Sequence, residues 1–275
     1  MKFVDKNIER KSDIIRQTLT YTKDKKIPLP SLVEISDSGT CNRTCSFCPH
    51  SMEFPNKKNY MNVALADKLA DELSYYEWDG VISVSGYGEP LLHPDIGNII
   101  KQFTARGLNT RLVTSGDRIL NKRFTPEEID DWDLLSIKID CYDGQDDVDK
   151  MNDILKNLKT SKRISTGPDE VSNRGGYLWK SNVNMPCYQP SMKSIMDWNG
   201  DIYVCCEDWN KNVSFGNIYK QTFSSIWLSE ELHDVRKRLQ NGMRTFSSCQ
   251  NCNFLPENSQ NERESIQIWA NYKYM

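Results

Sequence analysis

Short β-branched runs alternate along this chain with stretches whose apolar residues recur every three or four positions. That is the pattern of βα units laid around a parallel sheet. The first strand is expected over residues 31–36. Val63, Leu65, Ala66, Leu69, Ala70 and Leu73 then keep helical spacing over 62–76, behind Asn62 as a cap for the orphan amides of the first turn. Residues 81–85 read as strand two, 95–106 as a helix stopped by Gly107, and 109–114 as strand three. Thr125-Pro-Glu-Glu opens a short helix with a hydroxyl cap, a proline in the first turn and acids near the positive end of the dipole. Strand four is expected over 134–140, a helix over 145–158 and a weaker fifth strand over 162–165.

Beyond Cys187 the pattern changes. Ile195-Met-Asp-Trp198 and Asp201-Ile-Tyr-Val-Cys205 flank Asn199-Gly200, a strong hairpin signal that folds Cys205 back towards Cys187. Phe223, Ile226, Trp227, Leu232, Val235 and Leu239 take helical positions across 222–240, and periodicity assigns Trp198 and Trp227 to the core. Four regions are therefore expected: a helical extension over 1–30, a sheet domain over 31–180, a smaller module over 181–255 and a polar tail over 256–275. The extension is amphipathic through Ile8, Ile14, Ile15 and Leu19, and the tail carries Ile266, Ile268, Trp269 and Tyr272 for docking back.

The 275 residues, 38% of them hydrophobic, suffice for a full core. A net charge of -3 provides no broad basic field, which disfavours sequence-independent nucleic-acid binding and favours a small-molecule or peptide substrate. No apolar run approaches the ~18 residues of a membrane span, and Met-Lys-Phe-Val-Asp-Lys-Asn lacks the apolar core of a signal peptide. The expected location is cytoplasmic, with no membrane partner. In a reducing compartment the nine cysteines read as metal ligands and reactive thiols.

Three of the nine stand in Cys41-Asn-Arg-Thr-Cys45-Ser-Phe-Cys48-Pro-His, with no fourth thiol nearby. A four-iron cluster is normally closed by four thiolates, so this loop leaves one iron open to a substrate or cofactor. Zinc knuckles pair their cysteines with a distant second pair, and a thioredoxin-like site needs only C-x-x-C. A second set, Cys187, Cys205, Cys249 and Cys252, is brought towards one metal centre by the hairpin and the helix that follows it. Cys206 competes with its neighbour Cys205 for a place in that set, and four thiolates also suit zinc. Ligands gather at the carboxyl ends of parallel strands. The cysteine loop follows strand one there, Gly86-Tyr-Gly-Glu-Pro90 strand two, Thr114-Ser-Gly116 strand three and Asp140-Cys141 strand four.

The C-x3-C-x2-C spacing, with aromatic Phe47 before the third thiol, resembles the radical S-adenosylmethionine (radical SAM) superfamily. The resemblance implies that Cys41, Cys45 and Cys48 hold a 4Fe-4S cluster whose fourth iron chelates the amino and carboxylate groups of S-adenosyl-L-methionine. It implies an α/β fold, a partial, open parallel βα barrel. Five strands are readable before Cys187, against six βα units usual in the superfamily, so five to six are expected. Gly86, Gly88 and Glu89 match the segment that grips the cofactor's amino group, and Ser115 stands at the polar position against its ribose. Arg174, in Ser172-Asn-Arg-Gly-Gly176, resembles a family segment near the cofactor. The C-terminal set resembles the twitch module, a shortened SPASM domain, including its Gly-x4-Cys element from Gly200 to Cys205, which favours Cys205 over Cys206. With no cysteine after Cys252, one auxiliary 4Fe-4S cluster is implied.

The activity implied is abstraction of a substrate hydrogen atom by a 5′-deoxyadenosyl radical. The cysteine spacing resembles the aminocyclitol dehydrogenase type, in which the auxiliary cluster accepts an electron and a hydroxyl becomes a ketone. A sugar- or cyclitol-like substrate and an electron donor such as flavodoxin or ferredoxin follow. Epimerisation is the alternative, with Cys141 returning hydrogen as the catalytic thiol; the competing role for Cys141 is an inert core residue. Peptide modification is a further alternative, against which the roughly 30 residues before strand one are too few for a leader-binding domain. Tyr87 and Trp209 are candidates to line a polyol pocket, Lys138, Asp140 and Tyr142 lie in or just beyond a strand end, and His93 reads as a turn residue before Pro94.

Overall fold

In a computed structural model, which describes residues 3–4, 29–52, 58–168, 171–211 and 214–255, eight strands form one sheet. In chain order they are β1 (Leu32–Ile35), β2 (Val81–Val84), β3 (Thr110–Thr114), β4 (Ser136–Asp140), β5 (Lys162–Ser165), β6 (Lys193–Met196), β7 (Asp201–Tyr203) and β8 (Ser214–Asn217). Their order in the sheet is β5-β4-β3-β2-β1-β6-β7-β8. The pairs from β5 to β6 are parallel, and the last two are antiparallel. The helices are α1 (Val63–Tyr75), α2 (Ile96–Thr104), α3 (Asp117–Leu120), α4 (Pro126–Asp130), α5 (Gln145–Ile154), α6 (Gln189–Met192), α7 (Phe223–Trp227), α8 (Glu230–Gln240) and α9 (Ser247–Gln250).

The two faces of the parallel sheet differ in chemistry. Val33, Ile35, Ile82, Val84, Leu112, Ile137, Ile139 and Met196 join Leu65, Leu69, Ile99, Ile100 and Phe103 of α1 and α2 in one buried core. The residues alternating with them are largely polar: Glu34, Ser83, Arg111, Lys138, Asp140 and Lys193. Side chains on a strand alternate between faces, so this inner face is a polar wall. Parallel strands covered on both sides read as continuous apolar runs, and these do not, because the inner face borders a cavity.

Among the described residues five parallel strands of this sheet precede Cys187, as the periodicity indicates, and the sixth comes from an unexpected place. The first arm of the Asn199-Gly200 hairpin is β6, which pairs in parallel with β1 (Leu32 with Lys193, Glu34 with Ile195). The hairpin therefore extends the barrel sheet. Gly200 takes φ +85°, the left-handed conformation its turn requires. The helical pattern over 222–240 is two helices. Leu228 ends α7, and the Ser229 side chain accepts from Leu232 N to start α8. Arg236 on α8 lies 3.9 Å over the buried Trp227 ring and donates to the carbonyls of Pro190 and Trp227. Ile8, Ile14, Ile15 and Leu19 of the helical extension expected over 1–30 and the docking residues of the tail lie outside the described residues; within that extension Phe3–Val4 is a strand in place of helix, pairing in parallel with Phe254–Leu255.

Glu72 of α1 fastens the C-terminal elements to the barrel. Its carboxylate accepts from Phe223 N at 2.6 Å and from Ser224 N and Ser224 Oγ at 2.7 Å, at the start of α7. Glu72→Ala leaves these donors without their charged acceptor and should lower unfolding free energy by about 2 kcal/mol. Glu72→Gln, which keeps an acceptor oxygen, should lose less; denaturant titration of the two variants checks the order.

Candidate active site

The three-thiol loop leaves the carboxyl end of β1 and is clamped from both sides. Arg43, between the first two cysteines, donates from Nε to Asp117 Oδ2 (2.8 Å) at the start of α3 and from Nη2 to Asp143 Oδ2 (2.7 Å) after β4. Ser51 Oγ donates to the carbonyls of Cys45 and Cys48, both at 2.8 Å. Phe47 packs on Tyr142 with ring centroids 5.3 Å apart. Cys41, Cys45 and Cys48 line one cavity together with Gly86, Gly88, Glu89, Ser115 and Arg174. The structure thus gathers every residue expected at the first cluster and the cofactor into one place.

The glycines are needed for close approach. Gly86 has φ +102°, and a Cβ there would stand 2.7 Å from Ser36 Cβ; at Gly88 it would stand 2.4 Å from the Ser38 carbonyl oxygen. Tyr87 N donates to Ser36 Oγ, and Glu89 N to Thr40 O, so this segment braces the entry to the cysteine loop. Glu89 is buried, and burial pushes its carboxyl above the usual range even though protein donors hold it. Thr114 Oγ1 and Leu91 N donate to Oε1, and Ser115 N donates to Oε2. One acceptor position remains on Oε2, which suits an ammonium brought by a ligand.

Arg174 reaches this cavity from the far side. It holds φ +51° and is followed by Gly175 and Gly176, where a Cβ would lie 2.4 Å from Glu207 O and 2.3 Å from Asn251 Cβ. Its Nη1 stands 3.4 Å from Glu207 Oε1, and Ser172 Oγ donates to Glu207 Oε2 at 2.6 Å. Asn173, fully buried, exchanges hydrogen bonds with Asn253: each backbone N–H donates to the other's side-chain oxygen. The Asn-Arg-Gly-Gly segment is thereby wedged between the cysteine loop and the C-terminal module.

Cys187, Cys205, Cys249 and Cys252 line a second cavity. Cys206, next in the chain to Cys205, faces instead the cavity of the first three thiols. Burial pushes Cys41 up to about 11, with Glu89, Cys48 and Cys45 adding to it, and Cys252 up to about 12, with Glu207 and Cys187 adding. Thiols crowded in this way are ionised readily by a cationic centre placed among them. Among the described residues no three His, Cys, Asp or Glu side chains converge on a single metal-ion position. Each thiol set lines a cavity of its own.

Several residues sit elsewhere than their candidate role requires. Cys141 is buried in the apolar core, does not line the cavity, and is pushed up to about 11 by burial. Tyr87 stacks edge to face with Trp209 (4.8 Å) and donates to Asp208 O; Trp209 lines the cavity. Lys138 and Asp140 pair with each other at 2.7 Å, while Tyr142 lines the cavity. His93 bridges Met61 O and Asp95 N, a structural turn residue as expected. Glu34, Arg43, Cys206 and Glu207 are additions that sequence reasoning missed or, for Cys206, placed differently. The one legible signal was Glu34, a lone acid in Leu32-Val-Glu-Ile35.

The family model of the Radical SAM superfamily matches residues 35–197. This chain belongs to the radical SAM superfamily. The model of the SPASM iron-sulfur cluster-binding domain matches residues 187–253. The chain is 30% identical over 233 residues to the S-adenosyl-L-methionine-dependent 2-deoxy-scyllo-inosamine dehydrogenase of Niallia circulans, covering 81% of this chain and 92% of that enzyme. The crystal structure of BtrN in complex with AdoMet and 2-DOIA is 29% identical and superposes with a TM-score of 0.71 over 82% of this chain and 93% of that one. BtrN in an open conformation is 27% identical, with a TM-score of 0.63 over 84% and 94% of the two chains. The protein is a radical SAM oxidoreductase that uses S-adenosyl-L-methionine with a 4Fe-4S cluster and carries an auxiliary iron-sulfur domain. Among the described residues no helix is long and apolar enough to cross a membrane.

The orientation of the two adjacent thiols gives a direct check. Cys205→Ser should lower reconstituted iron by about four per chain, whereas Cys206→Ser should leave it unchanged. Iron and acid-labile sulfide analysis of anaerobically reconstituted protein reads both.

Proposed function

We propose that this enzyme oxidises a ring hydroxyl of an aminocyclitol- or sugar-like substrate to a ketone. The observation that carries this reading is one cavity bounded by the three-thiol loop, the glycine-glutamate segment and a polar strand face, with the second thiol set adjoining it. Cys41, Cys45 and Cys48 hold the first cluster, and Cys187, Cys205, Cys249 and Cys252 the auxiliary one. When bound, these groups would supply a 5′-deoxyadenosyl radical to take hydrogen from carbon and an acceptor for the remaining electron, the hydroxyl proton leaving to solvent. The chain's own residues position and enclose. Glu89 presents its remaining acceptor site to the cofactor's ammonium, Gly86 and Gly88 let the strand end close on the loop, Ser115 stands by the ribose, and Arg174 closes the far wall. The polar inner face suits a substrate rich in hydroxyls. The relative's name, a 2-deoxy-scyllo-inosamine dehydrogenase, supports that substrate class. The reading includes a flavodoxin- or ferredoxin-type electron donor, a cytoplasmic location, and neither a nucleic-acid nor a membrane partner.

A second reading, epimerisation, is favoured by one observation: a thiol does line this cavity, and it is Cys206 in place of the buried Cys141. One reaction separates the two. Reconstituted protein incubated in deuterium oxide with S-adenosyl-L-methionine, a low-potential reductant and 2-deoxy-scyllo-inosamine should give ketone and 5′-deoxyadenosine in equal amounts. An epimer carrying one carbon-bound deuterium, lost in Cys206→Ala, would establish hydrogen return in place of oxidation; mass spectrometry distinguishes the products.

A further inference from the structure

The cavity wall holds an acid, paired with a lysine on the neighbouring strand, that neither thiol set nor the glycine-glutamate segment uses. Glu34 lines the cavity, while its neighbours Val33 and Ile35 belong to the core on the opposite face of β1. Lys193 opens β6 beside it, with Nζ 3.0 Å from Glu34 Oε2, and the two side chains are only 13% and 11% exposed. Taking two charges this far from water is costly, and an apolar pair of similar volume would stabilise the sheet at least as well. Stability alone therefore does not account for them. Lys193 also faces the Cys206 thiol. Arg174, paired with Glu207, lines the same cavity and is close enough to Glu34 to feel its charge. An anchored carboxylate and an anchored guanidinium thus border one space beside the three-thiol loop.

We propose that Glu34 is a specificity-determining residue of this site: its carboxylate accepts a hydrogen bond from a hydroxyl of a polyhydroxylated ring whose oxygens accept from Arg174. Lys193 is the positioning residue that fixes the carboxylate. A hydroxyl donates and accepts at once, so a ring bearing neighbouring hydroxyls matches a fixed acceptor and a fixed donor together. Glu34 and Arg174 each already have a counter-charge, so the space between them suits hydrogen-bonding groups more than a carboxylate or a hydrocarbon. The inference rests on the reading of the site as one that oxidises a polyol or aminocyclitol, and adds the residue that selects the substrate.

The test is calorimetric titration of 2-deoxy-scyllo-inosamine, and of analogues each lacking one further hydroxyl, into reconstituted protein loaded with S-adenosyl-L-methionine. Wild type, Glu34→Gln and the double variant Glu34→Gln/Lys193→Met are compared, with iron content, KM and kcat measured alongside. The double variant leaves no uncompensated buried charge and serves where the single one fails to fold. Replacing the charged acceptor by a neutral amide should weaken binding about tenfold at unchanged iron, and should raise KM with little change in kcat. One analogue should bind wild type as weakly as it binds the variant, the two losses failing to add. Variants that bind within twofold of wild type, or analogues that lose affinity equally in both proteins, would overturn the proposal. If wild type forms ketone while the variants bind normally, this proposal falls and the oxidation reading stands. If wild type binds without forming ketone and the variants do not bind, the reverse holds; if wild type binds none of the probes, both fall.

Discussion

Strand β1 carries the constraint on which the rest of the structure depends. It pairs with β2 on one side and β6 on the other, joining the βα units to the hairpin of the C-terminal module. Its four residues must satisfy two environments at once: Val33 and Ile35 fill the core against the helices, while Glu34 borders the cavity. A shift of one residue in register would exchange these sets, burying an acid in the apolar core and turning valine and isoleucine to the polar wall. The same strand ends where the three-thiol loop begins, so the register that satisfies the core also fixes where the thiols stand.

A half-open sheet with a polar inner face needs a cover, and the C-terminal module shares the barrel's apolar core and is also fastened to it at main chain. The Asn173–Asn253 exchange, Tyr87 Oη donating to the Asp208 carbonyl, and Gly175 lying against Glu207 each join barrel and module at backbone atoms. Backbone contacts of this kind leave little freedom of approach, which serves two thiol sets that must keep a fixed relation. Cys205 and Cys206 show the outcome: adjacent in the chain, they serve different cavities, so the boundary between the two sites is one peptide unit thick here.

What could be read from sequence follows the range of the interactions. The outer-face periodicity is local, so the five leading strands, α1 with its Asn62 cap, and the capping box of Thr125 and Glu128 were legible. The thiol spacings were legible for the same reason, since a loop ligand set is written within a few residues. Long-range pairing was not. The alternating run at β6 is the same whether it pairs only within its hairpin or also with β1, more than 150 residues earlier. The break between α7 and α8 was hidden because Leu228 and Ser229 interrupt no apolar repeat, although Ser229 is a good cap. Arg43 looked like filler between cysteines, and its role depends on Asp117 and Asp143, about 75 and 100 positions away.

The cavity wall explains why charged residues persist where a barrel usually keeps apolar ones. Glu34 with Lys193 and Arg174 with Glu207 are each compensated, so these two pairs present direction without adding net charge. In the reading proposed above, such fixed dipoles orient a hydroxylated ring without needing to reorganise as it reacts, the condition under which a radical meets one C–H bond among several alike. Selectivity in hydrogen-atom abstraction is a matter of position, because the attacking species has force enough for any of them. A wall of flexible, solvated side chains would hold the ring in several poses and yield several products. On that same reading, the ion pair within the sheet and the one joining Arg174 to Glu207 of the module hold the ring in one pose only while barrel and module keep their relation, so the backbone joints between them bear on the active site.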